Sequence, residues 1–341
     1  MALQTEKVLS IVIPTYNMED YLDRCLSSLL IDKHLEDLEV WVVNDGSTDR
    51  SKAIAEAYTK RYAGIFFLID KPNGNYGSCI NAALPVARGR YVKILDADDR
   101  FETANLARLV ETLRTIDVDL VMTDLIKDYT DGHHKEEHLS LPSGRILPFD
   151  EICHEPSVRN LWMHNVTYRT RNLQEMGYRQ AEGISYTDQQ WIFAPLSTVR
   201  TAYYLNVTVY RYLLGREGQT VGKSHTNRNF HHNVVCTNNM LLQWKTLPPC
   251  SEAVKGLLNY KFLRRLRLIY RTYLLRQHDF DNPYLIDLDE KLQALHPQMY
   301  EACGRLLMSK PLFCVRFIRL WRQNHRSRRL HWLVTLYGLL H

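Results

Sequence analysis

Between residues 8 and 122, short runs of apolar residues alternate with longer stretches that are apolar along one side only. These patterns are typical of buried strands and of amphipathic helices, respectively. The predicted strands are Val8–Ile13, Glu39–Val43, Ile65–Ile69, Tyr91–Leu95 and Val118–Met122. The predicted helices are Asn17–Leu30 with Asn17 as its cap, Arg50–Arg61, Ser78–Arg88 and Thr103–Thr115. Because strands alternate with helices, we expect an open, mostly parallel α/β sheet.

Four polar clusters follow four of these predicted strands. They are Pro14–Asn17, Asn44–Ser47, Lys71–Asn75 and Asp96–Asp98. Each cluster alone is explained by a turn, since Asn, Asp, Gly and Ser favour turns. Ligands of such sheets bind beyond the carboxyl ends of the strands, so four clusters on one edge predict a binding site there.

The cluster after the fourth strand is the most acidic of the four. Asp96, Asp98 and Asp99 lie within four consecutive positions, where their negative charges repel one another. A divalent cation such as Mg²⁺ or Mn²⁺ is therefore expected, because such ions prefer oxygen ligands that they share with substrate phosphates. A solvated acidic turn at the end of a strand is the alternative interpretation of this short motif.

Three segments in a fixed order carry a resemblance to a known family. Ser10–Asn17, Val43–Asp49 and Leu95–Asp99 resemble the motifs of the family 2 glycosyltransferases, which have the GT-A fold. The resemblance covers about residues 8–220. It implies an enzyme that transfers a sugar from a nucleoside diphosphate sugar, with a UDP-sugar favoured, to an acceptor hydroxyl with inversion at the anomeric carbon.

The resemblance also implies which residues bind the donor. Asp98 would hold a Mn²⁺ or Mg²⁺ ion that bridges the diphosphate and stabilises it as it leaves. Asp96 would face the ribose or the donor sugar, and Asp99 would contact the sugar or cap the next helix. The remaining donor-binding candidates are Pro14, Thr15, Asp45, Asn75, Asn81, Arg211 and Arg216. The two arginines would neutralise phosphate charge, as would Lys71 unless it is an ordinary surface lysine.

Asp188 is the candidate catalytic base. It follows Thr187 at a predicted helix start, where an acid also stabilises the helix without any catalytic role. By its place in the family's order of motifs, Asp188 would remove the proton of the acceptor hydroxyl. The adjoining Gln189–Trp191 resembles the Q-x-x-R-W box of processive synthases but lacks the arginine, so the addition of a single sugar is expected.

The second half of the chain contains a polar segment and a basic, mostly helical region. Three histidines lie in the polar segment, at His133, His134 and His138, in a spacing that fits a solvated hairpin better than a zinc site. Lys261–Arg271 and Leu312–Leu340 have the pattern of basic amphipathic helices. They would bind an anionic membrane surface, or pack on the α/β core or on another subunit of a homo-oligomer.

Composition places the chain among ordinary globular proteins. It has 341 residues, of which 45% are hydrophobic and 24% charged, and a formal net charge of +5. The segment Lys310–His341 has seven Lys or Arg and no acid, which indicates an anionic partner. The seven cysteines show no C-x-x-C spacing, and no signal or membrane-spanning segment is found. A cytoplasmic location follows, with peripheral attachment to the inner face of the cell membrane as one alternative.

Together these features predict a GT-A domain over residues 1–225, comprising a nucleotide-sugar half (1–123) and an acceptor half (124–225), followed by a helical subdomain (226–341). The resemblance and the basic C-terminal segment imply that the acceptor is a cell-surface glycan or a lipid-linked intermediate of polysaccharide biosynthesis. A nucleotidyltransferase is a second candidate, although the Gly/Arg-rich loop that it needs after the first strand is missing. A non-catalytic scaffold that binds nucleotide sugars is a third. Nucleic-acid binding is disfavoured, since no nucleic-acid-binding motif occurs.

Overall fold

The computed structural model describes residues 7–216, 219, 229–306, 316–324 and 326. Its strands are β1 (Leu9–Thr15), β2 (Leu38–Asp45), β3 (Phe66–Lys71), β4 (Tyr91–Ile94), β5 (Arg100–Phe101), β6 (Leu120–Tyr129), β7 (His134–Glu137), β8 (Ile146–Pro148), β9 (Val166–Arg169) and β10 (Thr201–Leu214). They form one sheet in the order β3-β2-β1-β4-β9-β6-β10-β5, in which β7 pairs with β6 and β8 pairs with β10.

The helices lie on both faces of this sheet and continue beyond it. They are α1 (Leu22–Ser27), α2 (Ser51–Arg61), α3 (Asn75–Ala83), α4 (Thr103–Thr115), α5 (Phe149–Ile152), α6 (Pro156–Arg159), α7 (Thr170–Glu175), α8 (Asp188–Trp191), α9 (His231–Trp244), α10 (Glu252–Arg271), α11 (Pro283–Leu295), α12 (Pro297–Gly304) and α13 (Phe317–Gln323). The π-helical segment Thr272–Gln277 continues α10.

The first four long strands pair in parallel, which places their carboxyl ends at one edge. In the register of the sheet, Thr15 pairs with Asn44 and Asp45 pairs with Lys71. β10 also runs parallel to β6, whereas β9 is antiparallel to both β4 and β6. The predicted mostly parallel α/β sheet is therefore present, and it brings the polar residues that follow β1, β2 and β3 side by side.

The predicted helix that begins at Asn17 is wrong. The helix starts five residues later, at Leu22, and Tyr21 precedes it without a side-chain cap. Asn17 instead has a left-handed backbone conformation (φ +52°), and its side-chain oxygen accepts a hydrogen bond from the amide of Thr48 at 2.8 Å. Asn is one of the residues that tolerate this conformation. The turn after β1 is thus tied to the turn after β2.

The strand predicted to end at Met122 is longer than expected, since β6 continues to Tyr129. Its partner β10 extends over fourteen residues and supplies hydrogen bonds along the whole additional length. β7 folds back on β6 as an antiparallel hairpin whose side chains are mostly exposed. The hairpin predicted for the segment with three histidines is therefore present.

Apolar side chains fill both faces of the sheet. Along β1, Ile11 and Ile13 belong to one buried cluster and Val12 to the other, as the alternation of a strand requires. The cluster on the Val12 side also contains Phe262 and Leu266 of α10. The apolar face of α10 is thus packed on the α/β core. Most of Leu312–Leu340 and the boundary at residue 225 lie outside the described residues.

None of the helices in the described parts of the chain combines the length and the apolarity that a membrane crossing requires.

Candidate active site

A cavity of about 620 Å³ opens at the carboxyl edge of β1, β2 and β4, and we call it the edge cavity. Seven of the residues singled out in the sequence line it: Pro14, Thr15, Asp45, Asn75, Asp96, Asp98 and Arg216. These residues come from five separate segments of the chain. The ends of the parallel strands β1 to β4 bring the first four segments together, and β10 leads to the fifth, which contains Arg216.

Asp45, the last residue of β2, is buried at the side of the edge cavity. Its Oδ1 accepts hydrogen bonds from the ammonium of Lys71 at 2.5 Å and from the amide of Gly74 at 2.9 Å. The hydroxyl of Ser78 also contacts this oxygen, at 3.4 Å, and accepts a hydrogen bond from the ammonium of Lys71 at 2.8 Å. Lys71 is therefore the partner of a buried carboxylate rather than a free surface lysine.

Asp96 lines the edge cavity beside the aromatic side chain of Tyr76. The hydroxyl of Tyr76 donates to Oδ1 of Asp96 at 2.7 Å and contacts the sulfur of Met163 at 3.4 Å. Burial, followed by the negative charge of Asp98, raises the pKa of Asp96 to about 7. Two carboxylates with little water around them are a site at which a cation is favoured.

Asp98 is neutralised by an arginine from the end of β10. The guanidinium Nε of Arg216 donates to Oδ2 of Asp98 at 2.6 Å, and Gln219 contacts the same oxygen at 3.4 Å. The backbone carbonyl of Asp98 accepts a hydrogen bond from Arg24 at 2.9 Å. The turn that contains the acidic triplet is thus held from two sides.

Asp99 neither faces a ligand nor caps α4. It is fully buried, and its two carboxylate oxygens accept hydrogen bonds from the hydroxyl of Tyr210 and the amide of Leu213, each at 2.7 Å. Burial raises the pKa of Asp99 well above its usual range, and the charges of Asp98 and Asp96 add to the effect. These two hydrogen bonds link β10 to the acidic turn.

The carboxylates available to a metal follow from these contacts. Potential ligand atoms of Asp96, Asp99 and His164 lie within 4.8 Å of one another. Both oxygens of Asp99 accept hydrogen bonds from β10, whereas Asp96 and Asp98 are the two acids of the triplet that line the edge cavity. An all-oxygen set of this kind fits Mn²⁺ or Mg²⁺, and an ion on Asp98 would compete with Arg216 for the same carboxylate.

Asp188 lines a second cavity of about 410 Å³, which we call the basic cleft. Asp188 is the first residue of α8, and it is half-buried beside Gln189, whose amide donates to Oδ2 of Asp188 at 2.8 Å. The preceding Thr187 is buried but makes no capping hydrogen bond. Trp191 is fully buried in the core and anchors this short helix.

The edge cavity and the basic cleft share a wall. Met163 and His164 line the cleft, while Tyr76, in contact with Met163, and Asp96 line the edge cavity. The Nε2 atom of His164 lies 4.0 Å from Oδ2 of Asp96. Burial, with the charge of Lys93 as the second cause, lowers the pKa of His164 to about 3, so its ring is neutral at physiological pH.

Comparison with known proteins identifies the family. The profile of the family described as glycosyl transferase family 2 matches residues 10–177, a segment that contains Asp45, Asp96 and Asp98 but ends before Asp188. Over residues 10–177, the chain belongs to glycosyltransferase family 2. The predicted family is confirmed, and a glycosyltransferase is also the class of enzyme predicted from the sequence.

Curated relatives match this chain over part of their own length. EpsJ, a glycosyltransferase of Bacillus subtilis, is 39% identical over 159 residues, which are 46% of this chain and 45% of EpsJ. Across four such relatives the alignments cover 34% to 45% of each relative. The chain therefore matches less than half of the length of these proteins.

Solved structures share its fold. TarS 1-349 of S. aureus in complex with UDP-GlcNAc has a TM-score of 0.67 and 19% identity, and the match covers 86% of this chain and 82% of that one. The mannosyltransferase PcManGT from Pyrobaculum calidifontis, in complex with GDP-Man and Mn²⁺, has a TM-score of 0.52 and 16% identity, with 88% and 86% covered. At these identities the likeness concerns the fold, and it confirms the GT-A prediction.

Two of the donor-binding candidates in this glycosyltransferase lie away from the edge cavity. The side chain of Asn81 is bonded to the backbone of Gln180 in both directions, at 2.8 and 2.9 Å, which ties α3 to the loop before α8. The guanidinium of Arg211 forms a bidentate ion pair with Asp128, at 2.8 Å for both contacts, and also bonds Glu102 at 3.0 Å. Both side chains thus have structural partners in place of the donor contacts that were expected.

The sequence reasoning missed three residues at the site of this glycosyltransferase: Tyr76, His164 and Tyr212. Tyr76 directly follows the polar cluster Lys71–Asn75, and Tyr212 lies one position from Arg211. His164 is stacked on Tyr212 with ring centroids 4.4 Å apart. A lone histidine and single tyrosines carry no motif, and their places depend on contacts between residues that are far apart in the chain.

Proposed function

We propose that the protein is an inverting glycosyltransferase, in which the edge cavity binds a nucleoside diphosphate sugar and the basic cleft presents an acceptor hydroxyl to Asp188. The observation that carries the proposal is the shared wall. It brings the acidic turn, where the donor would bind, next to the one carboxylate among the described residues that line the cleft. A base on the acceptor side of a donor site is what direct displacement at C1 requires.

The donor would be held by the edge cavity. Pro14, Thr15 and Asp45 would line the nucleoside pocket, and Asp96 would face the ribose or the sugar. Asn75 and Arg216 are further donor-binding candidates, with the guanidinium directed toward the diphosphate charge. A UDP-sugar is favoured, and the UDP-GlcNAc complex of TarS supports this choice at the level of the fold.

A divalent metal on Asp98 is part of the proposal. Bound there, Mn²⁺ or Mg²⁺ would supply Lewis-acid stabilisation of the departing diphosphate. The support is the all-oxygen lining of the acidic turn and the Mn²⁺ in the complex of PcManGT. Arg216, which contacts Asp98 in this structure, would then turn to the diphosphate.

The chemical step is a single displacement. The acceptor oxygen forms a bond to C1 of the donor sugar while the bond from C1 to the diphosphate oxygen breaks, and its electron pair leaves with the nucleoside diphosphate. Asp188 takes the proton of the acceptor hydroxyl. Gln189, which donates to Oδ2 of Asp188, would orient the carboxylate with the other oxygen toward the acceptor.

The wider setting of this activity is also a proposal. We place the acceptor among cell-surface glycans or lipid-linked intermediates, and the protein in the cytoplasm with peripheral attachment to the inner face of the membrane. Residues 1–225 would form the catalytic domain and residues 226–341 the helical region that completes the acceptor side. The support is that α10 lines the basic cleft and packs on the α/β core.

A hydrolysis screen tests the donor part of the proposal. The full chain is incubated with UDP-, GDP- and dTDP-sugars, with Mn²⁺ or with EDTA, and release of the nucleoside diphosphate is measured. We expect slow, metal-dependent hydrolysis of a UDP-sugar. A chain that neither binds nor hydrolyses any of these donors would favour the non-catalytic alternatives.

A further inference from the structure

The basic cleft contains several cations and little negative charge. Among the described residues that line it, Arg159, Lys261, Arg264 and Arg265 are cationic and Asp188 is the one carboxylate. Its volume of about 410 Å³ lies within the range of pockets that bind small molecules, about 300–1,000 Å³. Three of these cations come from a single stretch of α10, so the sequence places them on the cleft together.

The cations of the cleft lack the partners that cations have elsewhere in the site. Within the described parts of the chain, no carboxylate forms an ion pair with Arg159, Lys261 or Arg264. The guanidinium of Arg264 bonds the neutral side chain of Asn160, and that of Arg159 lies over the ring of Tyr260. In the edge cavity, by contrast, Lys71 and Arg216 each pair with an aspartate.

Among the cations of the cleft, Lys261 is the one whose pKa is clearly lowered. Burial of its ammonium, together with the neighbouring charge of Arg264, lowers the pKa of Lys261 to about 7. A partly buried ammonium with a like charge beside it is unfavourable, and an anion bound between the two would reverse the effect. Arg264 can donate two parallel hydrogen bonds to such an anion, whereas Lys261 can act as a point charge.

Apolar surface accompanies the cations. Trp162 and Leu268 both line the cleft and are both 44% exposed, although side chains of this size are usually covered. An exposed tryptophan beside polar groups suits the apolar face of a sugar ring. Cation and aromatic surfaces in one cleft therefore fit a ligand that is both a sugar and an anion.

We propose that the basic cleft binds an acceptor glycan that carries a phosphate or a carboxylate close to the hydroxyl that is glycosylated. Lys261 and Arg264 would hold the anionic group, Trp162 would pack on the sugar, and Asp188 would meet the hydroxyl. The inference rests on the proposed function, because it assigns this cleft to the acceptor. It deepens that function by naming the chemical class of the acceptor.

The test compares glycans of different charge on the full-length chain in the presence of UDP and Mn²⁺. The probes are a poly(glycerol phosphate) oligomer, a hyaluronan hexasaccharide and neutral maltohexaose, each titrated by calorimetry. We expect at least one anionic probe to bind about tenfold or more tightly than maltohexaose. Preference for the first probe alone identifies phosphate, and preference for the second alone identifies a carboxylate.

Matched variants locate the binding site on α10. The pair Lys261→Gln and Arg264→Gln is compared with the pair Arg267→Gln and Arg271→Gln, which lies on the exposed surface of the same helix. The first double variant should lose the preference for the anionic probe, and the second should keep it. Equal binding of all three probes overturns the inference, as does a preference that survives in the first double variant.

Donor hydrolysis separates a failure of this inference from a failure of the proposed function. The wild type and the control variant with Arg267→Gln and Arg271→Gln should hydrolyse the UDP-sugar at the same rate, since neither of these two side chains lines either cavity. Hydrolysis without any anion preference removes the inference alone. Anion binding that depends on Lys261 and Arg264, in a chain that hydrolyses no donor, removes the proposed function and leaves an anion site.

Discussion

The edge cavity and the basic cleft lie on two sides of one wall but differ in how their charges are balanced. In the edge cavity, two aspartates form ion pairs with cations of the protein itself, Asp45 with Lys71 and Asp98 with Arg216. In the cleft, cations outnumber the single described carboxylate, Asp188. Charges paired within the protein keep their geometry without a ligand, whereas unpaired ones gain most when a ligand arrives. Under the proposed function, this difference corresponds to a preformed donor side and an acceptor side that is completed by its substrate.

Asp188→Asn should have the largest effect, because Asp188 is the proposed base that takes the proton of the acceptor hydroxyl. We expect release of nucleoside diphosphate in the presence of acceptor to fall about a thousandfold, since general bases contribute 10²–10⁴-fold. Binding of UDP should be unchanged. Gln189→Ala, which removes the hydrogen bond that orients Asp188 but keeps the carboxylate, should lose less than about tenfold. An Asp188→Asn enzyme with full activity would remove Asp188 as the base.

Gly77→Ala should have the next largest effect, because it disturbs the contact between the two sides. A Cβ at Gly77 of α3 would meet the carbonyl oxygen of Ala181, in the loop before α8, far inside contact distance. Backbone must therefore shift, at a cost of about 1–3 kcal/mol in the free energy of unfolding. Urea denaturation measures this cost.

Gly256→Ala is the matched control for that substitution. Gly256 lies in the interior of α10 with no atom near its would-be Cβ, so the new alanine should stabilise the protein by up to about 1 kcal/mol. If Gly77→Ala proves as harmless as Gly256→Ala, α3 and the loop before α8 are not in the close contact described.

Tyr210→Phe tests whether Asp99 is a structural acid that belongs to neither side. Loss of the hydroxyl deprives the buried carboxylate of a donor at 2.7 Å and should destabilise the fold by about 1–3 kcal/mol. Tyr212→Phe, which alters a ring at the edge cavity, should change stability by less than about 0.5 kcal/mol. Thermal unfolding distinguishes them, and equal stabilities would contradict the assignment of Asp99.

The smallest effects are expected for two arginines, Arg211 in β10 and Arg216 just after the end of that strand. Arg216→Ala should raise the KM for the donor about tenfold, because its guanidinium lines the edge cavity. Arg211→Ala should leave that KM unchanged and cost about 1 kcal/mol of stability or less, through the ion pair with Asp128. Steady-state kinetics of both variants measures the KM for the donor. A larger increase in Arg211→Ala than in Arg216→Ala would assign donor binding to Arg211 instead.

Much of the fold follows from local pattern. Thr103–Thr115 was predicted with the bounds that the structure has, because its apolar spacing and its neighbours agree. The start of α1 was mispredicted, because the side chain of Asn17 bonds the turn after another strand and caps no helix. The extra length of β6 depends on β10, about eighty residues further along the chain.

The residues of the candidate site were likewise predicted in part from local pattern. Asp45, Asp96 and Asp98 lie at or just after the ends of strands, so the pattern of the chain and the family motifs predicted where they lie. Asn81 and Arg211 were assigned to the donor by motif alone, and contacts with Gln180 and Asp128 give them other partners. The basic cleft could not be foreseen, since it forms between α6, α8 and α10, whose packing no local pattern encodes.

The central claim is that the donor binds through Asp98 in the edge cavity while Asp188 acts from the cleft. The most direct test is calorimetric titration of UDP into the wild type, Asp98→Ala and Asp188→Asn, each with Mn²⁺ and with EDTA. The account predicts Mn²⁺-dependent binding by the wild type and by Asp188→Asn, and loss of that dependence in Asp98→Ala. Mn²⁺-dependent binding of UDP by Asp98→Ala with wild-type affinity would contradict it.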